Sequence, residues 1–252
     1  VNFHHPEYKA VPFLDQSFFP TYRKRFPLDF DVVILGPRKS SLYKVISNNT
    51  PRLGYYSYQS LWLAYHQLCV IESCSYEGFL YFNDDSYVDP TFLVTYDLTK
   101  SWTEPSQKID TRNKWLWYYR KNKKGVLYID AYRKAIRNLQ KTEIGEKCHF
   151  ENSTNLRKGF ADFYYIAKND MPIYYELIPE MKRQNVFLEM AAPTVNWCIT
   201  HNFVINCNHG AMRNKLKCLH VHPVKIRNPK MQEYAMKRLY HLNMYETPIR
   251  GW

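Results

Sequence analysis

The sequence predicts an α/β fold, a mostly parallel sheet flanked by helices in a single domain spanning residues 31–252, and three observations predict it. Val32-Val33-Ile34-Leu35 is a short apolar, β-branched run stopped by Gly36-Pro37, the pattern of a buried strand in a parallel sheet. From residue 58 to about 75, apolar side chains recur at helical spacing through Leu61, Ala64, Tyr65, Leu68, Val70 and Ile71, with Gly78 as the stop. Phe79-Leu80-Tyr81-Phe82 is a second apolar run, and it ends abruptly in Asn83-Asp84-Asp85. Strand, helix and strand in that order read as a βαβ unit, and open α/β sheets bind their ligands beyond the carboxyl ends of the strands.

The other elements follow in chain order. Residues 1–30 are rich in Pro, aromatic and basic side chains without a period, and read as an extended arm. Residues 100–125 are polar, basic and Trp-bearing, a surface excursion flanked by short strands. Residues 160–167 are strand-like, 172–183 are helical, and Val186-Phe187-Leu188-Glu189 opens another element. Helical spacing returns over 230–244 through Met231, Ala235, Leu239 and Leu242. No internal repeat interrupts this order.

Composition narrows the function classes. With 252 residues and 45% hydrophobic composition the chain can fill a sizeable core, which excludes a disordered or fibrous protein. A net charge of +12 points to an anionic partner: nucleic acid, an acidic membrane face, a sulfated or uronic polymer, or a nucleotide diphosphate. Basic residues are scattered, apart from Arg120, Lys121, Lys123 and Lys124, and no nucleic-acid module signature is present. No stretch approaches the roughly 18 apolar residues that span a bilayer. The expectation is an excised soluble domain, any membrane anchor lying outside this sequence. Six cysteines permit up to three disulfides, and Asn48-Asn49-Thr50 and Asn152-Ser153-Thr154 are N-glycosylation sequons, a number that chance alone supplies at this composition. Both signs lean toward the secretory pathway.

The strongest chemical signal is the pair Asp84 and Asp85 at the end of an apolar strand, because adjacent acids there call for a neutralising charge. Their oxygens suit Mn²⁺ or Mg²⁺, which in turn bridges the phosphates of a nucleotide diphosphate. Glu189 is one acid among apolar neighbours, and burial would raise its pKa toward that of a general base. A competing zinc reading pairs Cys207 with His209 and Cys218 with His220, although the spacing is not the usual one.

The segment Gly78-Phe-Leu-Tyr-Phe-Asn83-Asp84-Asp85 resembles the DxD motif of GT-A-fold glycosyltransferases, with Asn83 where that family more often has an acid. The resemblance implies a Rossmann-like GT-A domain in which Asp85 binds the metal and Asp84 meets the ribose or the metal's water shell. Leu219-His220-Val221-His222-Pro223-Val224-Lys225 is similar to the late segment that returns a His to the metal, which assigns His222 as a ligand ahead of His220, and Lys225 to the diphosphate. By the same resemblance Glu189 is the catalytic base, Asp162 in Lys158-Gly159-Phe160-Ala161-Asp162 meets the donor sugar, and Pro37 and Arg38 border the nucleotide. Together with Phe187-Leu-Glu-Met-Ala-Ala-Pro193-Thr194, the pattern over residues 31–225 is loosely similar to the glycosyltransferase-like domain of plant Golgi STELLO proteins and their animal relatives.

The implied activity is hexosyl or N-acetylhexosaminyl transfer from a UDP-sugar to a glycan or glycoconjugate, in the Golgi or secretory-pathway lumen, by part of a type II membrane protein. Trp115, Trp117 and Lys121 could receive the acceptor glycan, or form only a structured loop. The alternative is a non-catalytic GT-A-like domain that binds a glycan or a partner glycosyltransferase. A nucleic-acid module, carried by charge alone, predicts salt-steep binding without any need for Mn²⁺.

Overall fold

β1 (Val33–Gly36) and β2 (Lys44–Ser47) pair in parallel, with Val33 opposite Lys44 and Gly36 opposite Ser47. The structure is a computed structural model that describes residues 30–36, 44–47, 53–83, 86–88, 93, 95–110, 112, 115–152, 155–204, 206–207, 220–221, 229–230 and 232–233. The expected arm therefore lies outside the described residues apart from residue 30, as does most of the helical pattern at 230–244, of which 230 and 232–233 are helical.

α1 (Tyr58–Tyr65) continues into a π-helical turn, His66–Ile71, and stops short of the expected residue 75. Ser73 is left-handed at φ 57°, which no helix sustains, and the Cys69–Cys74 disulfide closes the turn. β3 (Gly78–Phe82), β4 (Tyr87–Val88), β5 (Trp102–Thr103) and β6 (Gln107–Lys108) follow. Next come α2 (Tyr128–Leu139), α3 (Glu143–Lys147), β7 (Arg157–Lys158), β8 (Phe163–Ala167), α4 (Met171–Gln184), α5 (Leu188–Ile199), β9 (Asn206–Cys207) and β10 (His220–Val221).

The fold is mixed helix and sheet, but its described sheets are small and mostly antiparallel. β8 lies between β3 and β5, antiparallel to both, and β6–β7 and β4–β10 are antiparallel too; only β1–β2 and β9–β10 run parallel among the described strands. The expectation of a mostly parallel sheet took unbroken apolar runs as a sign of direction. In β8 all five residues are buried, so its run reports cover on both faces and leaves direction open.

The chain divides into two compact units. The first comprises Val32–Asn83 and Asp97–Val204, and the second includes Asp84–Tyr96 and the described residues after 205. In the first unit, α4 turns Met171, Tyr174, Leu177, Ile178 and Met181 inward, where they join Met190, Ala191, Ala192 and Val195 of α5. Each large apolar side chain so buried stabilises the fold by about 1.5–3 kcal/mol. α4 begins with Pro172 in its first turn and ends with Lys182 and Arg183 before a left-handed Asn185 at φ 55°, the features that start and stop a helix. α2 completes this core with Tyr132, Ala135, Ile136 and Leu139.

Tyrosine hydroxyls wire this core together. Tyr174 donates to the Tyr58 carbonyl at 2.8 Å, Tyr58 donates to the Val186 carbonyl at 3.0 Å, and Tyr164 and Tyr174 share a bond at 2.9 Å. Burial pushes the hydroxyls of Tyr58, Tyr132, Tyr164 and Tyr174 far above the usual phenol range. Residues 100–125 are less superficial than expected: Trp102 is 2% exposed and stacks on Tyr165, and Trp117 packs on Phe187 with the Arg120 guanidinium over its ring. Cys148 and Cys198 form a second disulfide, tying the end of α3 to α5. No described helix is long and apolar enough to cross a membrane.

Candidate functional site

In the first unit the β3–β8 register sets the chemistry. Phe82 lies opposite Phe163, so the next residue on one strand, Asn83, meets the preceding residue on the other, Asp162. Asn83 donates from Nδ2 to Asp162 Oδ1 at 2.6 Å and accepts from the Tyr81 hydroxyl at 2.7 Å. Tyr81 is itself held by stacking on Tyr164, with ring centroids 4.7 Å apart. The Asp162 backbone N–H donates to Glu104 Oε2 at 3.2 Å. Asn83, Asp162 and Glu104 are all buried, a concentration of polar groups that only such internal bonding makes tolerable.

Glu104 was not singled out from the sequence. Its signal was an acid directly after the aromatic, β-branched pair Trp102-Thr103, where a surface loop has no need of apolar flanks. Residues 104–108 run beside 157–162, with Gln107 opposite Lys158, and a Cβ on Gly159 would stand 3.2 Å from both the Pro105 carbonyl oxygen and Ser106 Cα. Glycine thus permits the close approach that brings Glu104 to Asp162. Lys158 is buried with its Nζ over the rings of Trp115, at 5.0 Å, and Tyr118, at 5.2 Å.

Glu189 stands in the first turn of α5, where the helix dipole favours a carboxylate. It is half-buried, not enclosed as its apolar neighbours implied, because it stands in the first turn, where the helix begins and is not covered all round as it is from Met190 to Asn196. Residues 155–159 travel along α5 toward it. Trp197 Nε1 donates to Asn155 Oδ1 at 3.4 Å, Thr194 Oγ1 bonds the Arg157 backbone N–H and carbonyl at 3.0 Å each, and Gly159 N–H donates to the Glu189 carbonyl at 3.0 Å.

In the second unit β4 pairs with β10, His220 opposite Val88 and Val221 opposite Tyr87. The pairing is reinforced by Ser86 Oγ and His220 Nε2 at 2.9 Å, both side chains buried. That nitrogen is engaged within the protein, which counts against His220 as a metal ligand and weakens the zinc reading that uses it. Asp84, Asp85, His222, Lys225, Pro37 and Arg38 lie outside the described residues, together with His209 and Cys218. Among the described residues no three His, Cys, Asp or Glu side chains converge to hold a metal ion.

Comparison of the chain with protein-family models, with curated proteins and with solved structures finds no match.

Proposed function

We propose that this chain is a metal-dependent glycosyltransferase of GT-A type, which transfers a sugar from a UDP-sugar to a glycan or glycoconjugate in the lumen of the secretory pathway. The observation that carries the reading is the Ser86–His220 bond within the β4–β10 pair. Ser86 directly follows Asp85 in the chain and His220 stands two residues before His222, so two motifs about 130 residues apart are joined by their neighbours. Asp85 and His222 are the residues that would hold Mn²⁺ or Mg²⁺, with Asp84 and Lys225 toward the ribose and diphosphate. The ion would supply charge neutralisation for the departing diphosphate.

The remaining roles belong to side chains of the chain itself. Asp162, held by Asn83 and with its backbone bonded to Glu104, would accept from donor-sugar hydroxyls. Glu189, half-buried in the first turn of α5, would act as the base toward an acceptor hydroxyl. The parallel β1–β2 pair supports a nucleotide-binding half of GT-A type, in which Pro37 and Arg38 would border the nucleotide.

A second reading is favoured by Asn83. Its amide is engaged on both sides by Tyr81 and Asp162, so the first position of the acidic motif has no carboxylate to offer and is used for structure. That suits a GT-A-like domain which binds a glycan or a partner glycosyltransferase without turnover. Calorimetry of UDP binding, with Mn²⁺ present or chelated, separates the two. Metal-dependent binding that disappears in Asp85→Ala and His222→Ala supports the enzyme; a natural chain that fails to bind UDP with Mn²⁺ sinks that reading in favour of the second.

A further inference from the structure

We propose that Asn152 carries an N-linked glycan. Three observations converge on it. Asn152-Ser153-Thr154 is a sequon, and Asn152 is exposed in the turn that follows α3. The turn is anchored on both flanks: Asn152 N–H donates to the His149 carbonyl at 3.0 Å, Asn155 N–H donates to the Asn152 carbonyl at 2.9 Å, and Asn155 Nδ2 donates to the Cys148 and His149 carbonyls at 3.2 and 3.1 Å. Asn152 is thus presented at the surface by well-packed neighbours, so a large hydrophilic adduct on it disturbs no core contact.

The compartment is given by the cysteine four residues earlier. Cys148 is 4% exposed and bonded to Cys198, 50 positions away, and a long-range disulfide in the core belongs to a chain that folds in an oxidising compartment. Lipid-pyrophosphate-linked oligosaccharides are available in that compartment. The Asn152 amide nitrogen forms the new bond to the anomeric carbon, that carbon's bond to the pyrophosphate oxygen breaks, and the lipid pyrophosphate leaves as the amide gives up a proton. Cys198 is synthesised well after Asn152, so the acceptor is reached before the disulfide closes.

The position also keeps clear of Glu189 within the first unit. Residues 155–159 run along α5 from Trp197 to Glu189, and this 12-residue helix is about 18 Å long, so the glycan stands beside the opposite end from the carboxylate. The inference does not rest on the glycosyltransferase reading, since a binding domain would carry the same modification.

The test uses the full-length protein isolated from the cells that make it. Peptide N-glycosidase treatment in heavy-oxygen water is expected to convert Asn152 to labelled aspartate in nearly all of the recovered peptide. Asn152→Gln and Thr154→Ala are each expected to remove one glycan from the intact mass, while Thr154→Ser retains it. Recovery of the peptide with unmodified Asn152, from protein in which Cys148 and Cys198 are linked, overturns the proposal, as does native protein in which both are free thiols.

Discussion

The two ends of α5 are built to opposite purposes. At its C-terminal end Cys198 is bonded to Cys148, and Trp197 lies under the Arg157 guanidinium at 3.3 Å while donating to Asn155. At its N-terminal end Glu189 is half-buried and its carbonyl accepts from the Gly159 N–H, and the same unit holds the buried Asn83–Asp162–Glu104 cluster. One end is locked by covalent and cation–aromatic contacts, which stabilise; the other holds ionisable groups in fixed places, which a merely stable fold does not require. On the proposed function, the difference separates positions where sequence change should cost activity from those where it should cost stability.

The sharpest way to break this comparison is Glu189→Gln. On the proposed function, transfer to the acceptor is expected to fall about 10²–10⁴-fold, with UDP binding and melting temperature unchanged. Full turnover in that variant would remove Glu189 from the mechanism, and a large drop in melting temperature would make the N-terminal end structural after all. At the other end, Cys148→Ser combined with Cys198→Ser is expected to lower unfolding free energy by about 2–4 kcal/mol in denaturant titration, with UDP binding retained under native conditions. Thr194 sits between the ends and serves Tyr132 at 2.9 Å as well as both polar groups of the Arg157 backbone. Thr194→Val leaves these buried groups without that partner and is expected to cost about 1–3 kcal/mol.

The smallest expected effect comes from pH. The folded hydroxyls of Tyr58, Tyr132, Tyr164 and Tyr174 are raised by burial, and that of Tyr165 is pushed up to about 12. Below the unfolded phenol value of about 10 both states keep these protons, so the contribution is complete. As pH rises beyond it the unfolded chain ionises first, so stability falls progressively. Tyrosinate absorbance in the native protein should then lag behind that of the urea-unfolded chain, and coincident curves would refute the buried network.

How much was legible in the sequence depended on whether a residue's environment is local. β1, β3, β8 and α4 were recoverable because apolar period and the Gly, Pro and Asn punctuation act within a few residues. The direction of β8 was not, since Phe163 to Ala167 are covered on both faces whatever strand they pair with. α2 stands outside the expected elements although Ile129, Tyr132, Ile136 and Leu139 carry a helical stripe, because Leu127 at its N-cap offers no capping side chain to mark its start. In the candidate site, the Asn83–Asp162 contact follows from a pairing register, and Glu104 enters through the close approach at Gly159. Neither is written in any short stretch of sequence.

The hydroxyl wiring has a consequence for how uniquely the first unit folds. An aliphatic interior tolerates a helix sliding past its neighbour by one turn, since one methyl surface replaces another. Here such a slide would strand Tyr174 away from Tyr58 and Tyr164, and Tyr132 away from Thr194, each inside a dry interior. At about 1–3 kcal/mol for each orphaned phenol, misregistered packings of α2 and α4 are rejected by lost hydrogen bonds as well as by shape.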